Sequence, residues 1–428
     1  MANIITLTAT DGSTVEFYDE IKASGGVKDV YFSTDGTYVV GFYRKALSAN
    51  DRQRIEDIVN VHRQRIFTPD AAGRYWENFF AWPTKIVEWN EKVGLVMPFY
   101  DKKFFFSGVD PQWPFIKDGQ EKNGKWFSSA KLYNRFVPDN QKGNLLTRLK
   151  IARAIRRLHA AGLAHSDLSY NNVLVDPLTG NACIIDCDGL VVPKKFPPEV
   201  VGTPGFIAPE VMATRALPLQ DPKKNLPQIS TDRHALAVLI YTFLLQRHPL
   251  DGGKVWDVND TEHEDDLRYG EKALFIEHPY DAANRVKSSQ LDPHELPQGD
   301  PQQRPYTLCG PYLTRLFNRA FVEGLHAPAR RPSAAEWEDA LVKTCDLLQP
   351  CNCEQGWYVF DNTTQPKCPF CGQPYAGQLP VLNFYYAPSH GKFISENYRL
   401  MVYHHQTLYR WHTNNLVVPN EKISDEDR

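Results

Sequence analysis

The chain has 428 residues and a formal net charge of −3, with 42% hydrophobic and 23% charged residues. This length predicts about two to four globular domains with sizeable cores. Acidic and basic residues are mixed along the chain, so we expect no nucleic-acid-binding surface and no polybasic membrane anchor. The N-terminus lacks the pattern of a signal peptide, and no apolar stretch approaches the roughly 20 residues that cross a bilayer. We therefore expect a cytoplasmic protein whose eight cysteines are metal ligands or free thiols.

The first hundred residues have the pattern of β-strands. Alternation of apolar and polar residues, with DG and GG turn signals between the runs, predicts strands in IITLTA, STVEFYDE, DVYFS and TYVVGFYR. Helical spacing predicts a helix over about Asp51–Phe67, and two more strands are predicted in TKIVEW and VGLVMPFY. An irregular, aromatic-rich insertion follows over about 101–143, and its length is unusual for a connector.

The middle of the chain has the pattern of helices. The predicted helices are an apolar stripe from Leu145 to Leu158, an apolar segment from His234, and a helix whose capping box is Ser333 with Glu336. Strand-like runs return after about residue 380, in LNFYYA, YRLMVYHH and TLYRWHT, before a polar ending after which a further element is expected. The sequence thus predicts an α+β protein with a strand-rich front and a helix-rich back.

The strongest chemical signal is the segment HSDLSYNNVLVD at 165–176. Asp167 and Asn172 are five residues apart, the spacing of a loop in which the aspartate accepts a hydroxyl proton and the asparagine holds Mg²⁺. Asp186 opens the sequence DCDG at the end of a predicted strand, where its carboxylate suits the same hard cation. An isolated HxD is usually a loop feature and an isolated DxDG a turn, but both occur here in order with GTPGFIAPE at 202–210 and RRPS at 330–333.

These motifs resemble those of eukaryotic-type Ser/Thr protein kinases, over residues of about 14 to 345. The resemblance implies a bilobal protein-kinase fold, with an N-lobe at 1–99 and a C-lobe at 100–349, and it implies ATP and Mg²⁺ as cofactors. It makes Asp167 the base-like aspartate, and Asn172 and Asp186 the magnesium ligands.

The resemblance also gives roles to residues around this loop. Thr203 would hydrogen-bond near Asp167, and Asp232 would support the catalytic loop. Glu210 and Arg331 would form a structural ion pair. Residues 97–100 would be the hinge, in which backbone groups of Met97 and Phe99 meet adenine.

Three positions depart from the family pattern. Ser166 replaces an arginine that usually pairs with a phosphorylated activation loop, so we expect no control of that kind. Ser169 replaces a lysine that contacts phosphate. Cys187 and Asp188 replace the Phe and Gly of DFG, and Asp188 is either a second metal carboxylate or a surface-turn residue.

The lysine that meets ATP is missing from its usual strand, where Gly41 stands instead. Lys45 shares a face with Gly41, but it lies about 13 Å further along the strand and is too distant to replace the lysine. The segment ASGGVKDV at 23–30 resembles the phosphate loop of with-no-lysine kinases and makes Lys28 the candidate. Gly25 and Gly26 would then form the phosphate loop, with Glu56 as the ion-pair partner of Lys28 and Asp57 as its rival. The alternative is that Lys28 is a solvated loop lysine.

Four cysteines near the C-terminus have the spacing of a metal site. Cys351 and Cys353 form a CxC pair, and Cys368 and Cys371 form a CPxCG knuckle about fifteen residues later. Two such pairs predict a structural four-thiolate zinc site, with free thiols as the alternative. We expect a zinc ribbon at 350–375 and, at 376–428, a β-rich segment that is cut short by the end of the chain.

A kinase domain followed by a zinc ribbon is similar to the bacterial kinases of tellurite-resistance-associated (TerY-type) phosphorylation triads. That resemblance implies a von Willebrand A-type protein and a PPM-type phosphatase as partners, besides a protein substrate. Two alternatives to a protein kinase stay open. Gly41 and Ser169 favour a pseudokinase scaffold, whereas GTPGFIAPE argues against a small-molecule kinase of the aminoglycoside or choline type.

Overall fold

The computed structural model describes residues 3–24, 27–69, 71–137, 146–192, 195, 202–353, 357–359, 367–368, 371–378, 380–403, 406–414 and 416–417. The strands are β1 Ile4–Thr8, β2 Thr14–Ser24, β3 Lys28–Ser33, β4 Tyr38–Tyr43, β5 Lys85–Trp89, β6 Lys92–Pro98, β7 Val173–Asp176, β8 Asn181–Ile184, β9 Leu348–Pro350, β10 Trp357–Val359, β11 Val381–Ser389 and β12 Lys392–Met401. The α-helices are α1 Ala49–Glu56, α2 Arg63–Ile66, α3 Ala71–Glu77, α4 Lys125–Ser128, α5 Ala130–Phe136, α6 Leu146–Ala160, α7 Pro209–Met212, α8 Ile229–Leu245, α9 Thr261–Asp266, α10 Pro311–Asn318, α11 Ala334–Asp346 and α12 Arg410–Thr413.

The N-terminal part is a six-stranded antiparallel sheet with strand order β1-β2-β3-β4-β6-β5. All six predicted strands are present. One face is held together by an aromatic cluster in which Phe17 contacts Tyr31, Phe42 and Trp89, with ring centroids 5.4 to 5.5 Å apart. Because alternate residues point to opposite faces of a strand, Lys28 in β3 and Tyr43 in β4 lie on the face away from these rings. The register of the two strands places Lys28 and Tyr43 directly opposite each other.

The helix predicted over 51–67 forms, but a π-helical turn interrupts it. Helix α1 runs into the π turn at Asp57–His62, which continues into α2. The buried side chains of this segment include Ile55, Ile58 and Val59, as the spacing predicts. A π turn adds a residue to one turn and so shifts which side chains face the protein after it.

The remaining core lies among the helices. Helix α8 is apolar on all sides and is buried along almost its whole length, because α6, α4 and neighbouring segments surround it. The aromatic residues of the 101–143 insertion contribute to packing, since Phe104, Phe106 and Phe127 are each less than 10% exposed. No helix in the described part of the chain has both the length and the apolar character needed to cross a membrane.

The C-terminal part packs against α11. The predicted capping box is present, since the Ser333 hydroxyl accepts a hydrogen bond from the backbone N–H of Glu336. Strands β11 and β12 form a hairpin. It overlaps the predicted runs LNFYYA and YRLMVYHH, although β12 begins at Lys392, before the second run, and ends at Met401. The third predicted strand, TLYRWHT, is wrong. There the chain forms the short helix α12, in which the buried His412 ring stacks on Phe384 and its Nε2 lies 3.3 Å from Asp346 of α11. These tertiary contacts outweigh the strand preference of the local sequence.

Candidate active site and cysteine cluster

The segment predicted as the catalytic loop connects α6 to β7 and brings Asp167 and Asn172 together. The Asn172 side-chain amide donates to the Asp167 carbonyl oxygen at 2.8 Å and to its carboxylate oxygen Oδ2 at 2.9 Å. The other carboxylate oxygen accepts a hydrogen bond of 2.7 Å from the Thr203 hydroxyl. Asp167 is therefore held between its own loop and the segment that follows residue 201.

Asp232, in α8, fixes the backbone conformation of the catalytic loop. Its buried carboxylate accepts hydrogen bonds from the backbone N–H of His165 at 2.7 Å and of Ser166 at 3.1 Å. Ser166 has φ +64°, a left-handed conformation that is uncommon for residues other than glycine. The two bonds to Asp232 stabilise that conformation, as expected from the position of Asp232.

Asp186 follows β8 and lies at the mouth of the same site. Its backbone is also left-handed, with φ +60°, and its neighbour Ile185 donates a backbone hydrogen bond of 3.0 Å to the Asn172 carbonyl. The Asp186 side chain is 51% exposed, which leaves carboxylate oxygens open toward the cleft. Partial removal from water within the cleft and the nearby Asp188 carboxylate raise the pKa of Asp186 above its ordinary value.

Lys28 lies in this cleft with the acidic residues. Its Nζ is 2.7 Å from both carboxylate oxygens of Asp188 and 3.6 Å from Oδ1 of Asp186. The Tyr43 hydroxyl also donates to Asp188, and the Lys28 ammonium group lies 5.4 Å from the centre of the Tyr43 ring. The reading of Lys28 as a solvated loop lysine is wrong for this structure, because its side chain is only 15% exposed.

The protonation of these three groups follows from their contacts. Burial by itself lowers the pKa of Lys28, but the carboxylates of Asp188 and Asp186 outweigh this, so the pKa is raised. Burial opposes ionisation of Asp188, whereas the charge and hydrogen bonds of Lys28 and the Tyr43 hydroxyl lower its pKa. Burial and the adjacent carboxylate raise the pKa of Tyr43 well above its ordinary value. Asp188 is thus a charged acceptor between two donors.

Gly41 provides the space through which the Lys28 side chain runs. Residue 41 pairs with Val30, two positions along β3 from Lys28. A Cβ added at Gly41 would lie 3.5 Å from Lys28 Cδ and 3.1 Å from Met97 Cε. A larger side chain at 41 would therefore compete with Lys28 for the same volume, which explains why the lysine and the glycine occur together.

Glu56 is not the partner of Lys28. It is exposed on α1 and forms no ion pair with any residue that the structure describes. The rival, Asp57, pairs instead with Lys195 at 2.6 Å. Helix α1 turns the buried Arg54 toward the site, so the helix presents a cation where the sequence predicted a carboxylate.

The predicted adenine contacts are not all brought into the cleft. Gly25 and Gly26 lie outside the described residues. Met97 is in β6 opposite Val39, and the backbone N–H of Phe99 donates to the Thr37 carbonyl at 3.1 Å. In this conformation the Phe99 N–H is therefore engaged by the protein itself.

The side chains just described line a cavity of about 110 Å³. Its walls include Lys28, Tyr43, Arg54, Asp167, Asp186 and Asp188. Neither Met97 nor Phe99 is among its lining residues.

The segment 202–210 connects the catalytic loop to the helical core. Thr203 donates to Asp167 and also lies 3.1 Å from the Ser169 hydroxyl. At the other end, Glu210 forms two hydrogen bonds with Arg331, at 2.8 and 2.7 Å. The predicted contacts of Thr203 and Glu210 are therefore both present.

Residues 123–303 match the family model described as the protein kinase domain. The matched segment includes the catalytic loop with Asp167, and Asp186 after β8. The chain carries a protein kinase domain. At the level of this domain, the match supports the predicted enzyme class of protein kinase.

Three relatives show how far this similarity extends. The chain is 30% identical to serine/threonine-protein kinase D2 of Homo sapiens over 134 residues, which are 29% of this chain and 14% of the relative. It is 28% identical to CBL-interacting protein kinase 4 of Oryza sativa subsp. japonica, over 39% of this chain and 34% of the relative. It is 27% identical to serine/threonine-protein kinase dkf-2 of Caenorhabditis briggsae, over 29% and 10%. The chain thus spans about a third or less of the length of these relatives.

Solved structures of two Toxoplasma gondii kinases are more distantly similar. A specific rhoptry antigen kinase domain has a TM-score of 0.44 and 14% identity, covering 80% of this chain and 86% of that one. A rhoptry kinase has a TM-score of 0.45 and 13% identity, covering 80% and 84%. At this distance nothing about function follows from either structure.

The cysteine cluster lies after the kinase domain match. The ligand atoms of Cys351, Cys353, Cys368 and Cys371 all lie within 4.8 Å of one another. The sulfur of Cys351 is 3.6 Å from that of Cys371, and the sulfurs of Cys353 and Cys368 are 3.8 Å apart. Four sulfurs at about 2.3 Å from a tetrahedral zinc ion would be separated by about 3.8 Å. The geometry therefore fits zinc, including the CxC pair whose spacing is tighter than usual.

The structure places two residues in the cavity around Lys28 that the sequence analysis missed, Tyr43 and Arg54. Tyr43 follows Gly41 by two positions, so strand alternation alone would have placed it on the same face. Arg54 had no such signal, because its orientation depends on how α1 docks beside the sheet.

Proposed function

We propose that the protein is an ATP- and Mg²⁺-dependent kinase that transfers the γ-phosphate to serine or threonine hydroxyls of proteins, on itself or on a partner. Nucleotide would bind in a cleft between two lobes, the N-terminal sheet and the helical part. The observation that carries this proposal is that Asp167 and Asp186 line one cavity. Asn172 is hydrogen-bonded to Asp167, and Lys28 lies 3.6 Å from Asp186.

Each of these residues has a chemical role that suits its surroundings. Asp167 would orient the attacking hydroxyl and accept its proton, since Asn172 and Thr203 fix its carboxylate. Asn172 and Asp186 offer the oxygen ligands that Mg²⁺ prefers. Asn172 and Asp186 would hold Mg²⁺, whose positive charge would offset the negative charge of the transferred phosphoryl group.

Lys28 would supply the positive charge that the usual strand lysine gives in other kinases. Its ammonium group lies beside Asp186, so it can contact phosphates that are bound near that carboxylate. Ser169, at the position of the phosphate-contacting lysine, is fully buried and lies against Thr203. Lys28 would therefore carry more of the phosphate contact than the corresponding lysine of other kinases.

The cysteine cluster would hold a structural zinc ion. Four protein thiolates complete a tetrahedral site and leave no open position for catalysis. We propose that residues 350–375 form a zinc ribbon that serves as an interaction module. The von Willebrand A-type protein and the PPM-type phosphatase stay predictions.

A pseudokinase scaffold is the second candidate. The observation in its favour is the cleft volume of about 110 Å³, which is below the range of roughly 300–1,000 Å³ typical of small-molecule sites. A scaffold would bind nucleotide weakly or not at all and would act by recruiting partners.

One assay separates the two candidates through Lys28. Wild type, Lys28→Met and Lys45→Met are incubated with γ-labelled ATP, Mg²⁺ and a general protein substrate. Lys45 is exposed and serves as the matched control, so wild type and Lys45→Met should transfer label while Lys28→Met loses at least about 100-fold in rate. Full activity of Lys28→Met would contradict the role of Lys28. Nucleotide binding without transfer by any variant would support the scaffold.

A further inference from the structure

The carboxylate that contacts Lys28 comes from the DCDG segment rather than from a helix. Asp188 is 4% exposed, and both its oxygens lie 2.7 Å from the Lys28 ammonium group. In protein kinases generally, a helix glutamate holds the ATP lysine. Here the same contact is made by the residue two positions after the proposed metal ligand Asp186.

The helix beside the sheet cannot supply that carboxylate in this structure. Asp51 lies 3.3 Å from Arg54, Glu56 is exposed, and Asp57 pairs with Lys195. Arg54 lines the same cavity as Lys28, and two neighbouring cations repel each other unless an anion lies near them. Asp188 provides that anion.

Tyr43 holds the other side of the Asp188 carboxylate. Lys28 and Tyr43 are cross-strand partners on β3 and β4, and both donate to Asp188. The sheet therefore fixes both donors, and the carboxylate between them sets where the ammonium group points. Since both oxygens already accept hydrogen bonds from buried donors, Asp188 is poorly placed to give an oxygen to a metal ion as well.

We propose that Asp188 is the positioning residue for the ATP lysine Lys28, with Tyr43 as its second support. This inference rests on the proposed function and deepens it. Without Asp188, the nearest carboxylate to the ammonium group among the described residues is Asp186, at 3.6 Å. Lys28 would then move onto the proposed magnesium ligand and compete with the metal ion.

A double-mutant cycle of nucleotide binding tests this inference. The full chain is titrated with a fluorescent N-methylanthraniloyl ADP in the presence of Mg²⁺, as wild type, Asp188→Asn, Lys28→Met and the double variant. Asp188→Asn should weaken binding by about tenfold. The double variant should bind no more weakly than Lys28→Met, because the misplaced ammonium group is absent from both.

A second variant keeps the test decisive if Asp188→Asn does not fold. Tyr43→Phe removes only the hydroxyl that contacts Asp188, so it should weaken binding by about threefold, and this effect should vanish when Lys28 is methionine. Circular dichroism and thermal unfolding show which variants are folded.

Two patterns of binding among the variants would overturn the inference. Equal weakening by Asp188→Asn with lysine or methionine at position 28 would make Asp188 a second magnesium ligand, and no effect in either background would make it merely structural. The cycle measures nucleotide binding and not phosphate transfer. A protein that binds nucleotide but transfers no phosphate would refute the proposed function, and the cycle would still decide the role of Asp188. Absence of binding by wild type would overturn both.

Discussion

Replacing Glu210 by glutamine should destabilise the protein strongly, because it leaves a buried guanidinium group without its counter-ion. The Arg331 side chain is completely buried and donates two hydrogen bonds to Glu210. Its other donors bond to the carbonyl oxygens of Gly324, Ser230 and Leu325, at 2.8 to 3.0 Å. These carbonyls keep the guanidinium group in place, so it cannot move to water when the carboxylate is lost.

The magnitude follows from the burial of the pair. Removing one partner of a buried ion pair costs about 3–5 kcal/mol in free energy of unfolding. The matched control is Glu262→Gln, since the Glu262 side chain is 83% exposed and pairs with Arg215 at 2.9 Å. An exposed pair of this kind contributes less than about 1 kcal/mol.

Urea denaturation followed by circular dichroism measures both variants against wild type. We expect Glu210→Gln to lose several times more free energy of unfolding than Glu262→Gln, at an unchanged dependence on urea concentration. Arg331→Met should also be destabilised, because Glu210 is then left without its partner. If Glu210→Gln were no less stable than Glu262→Gln, the ion pair would not anchor the segment 202–210 as described.

Two further predictions concern the catalytic loop and the cysteine cluster. Thr203→Val should lower kcat by at least about tenfold, since the Asp167 carboxylate loses a hydrogen bond of 2.7 Å. Steady-state kinetics with an unchanged kcat would contradict this. Purified protein should contain one equivalent of zinc by plasma mass spectrometry, and Cys368→Ser should lower it while Cys345→Ser should not. Equal zinc contents in the two variants would mean that the cluster is not the metal site.

Much of the fold could be predicted because its local signals agree with its tertiary contacts. Alternating residues predicted all six strands of the sheet, and the capping box at Ser333 predicted the start of α11. The proximity of Asp167 and Asn172 followed from their spacing, since a short loop between a helix and a strand keeps residues that are five apart close together. The bounds of the domains stay predictions.

The wrong predictions concern segments whose structure depends on contacts with residues distant in sequence. Glu56 was expected to meet Lys28, but α1 docks with Arg54 turned inward, and nothing in the local sequence fixes that rotation. The strand predicted in TLYRWHT is a helical turn because His412 packs between Phe384 and Asp346. In both cases partners distant in sequence determine the outcome.

The measurement that tests the central claim most directly compares wild type with Asp167→Asn. Asp110→Asn, at an exposed aspartate of the insertion, serves as the control. With γ-labelled ATP and Mg²⁺, wild type and Asp110→Asn should phosphorylate themselves or a general protein substrate. Asp167→Asn should lose at least about 100-fold in rate while still binding nucleotide. Equal transfer by Asp167→Asn, or no transfer by wild type that has nucleotide bound, would contradict the account.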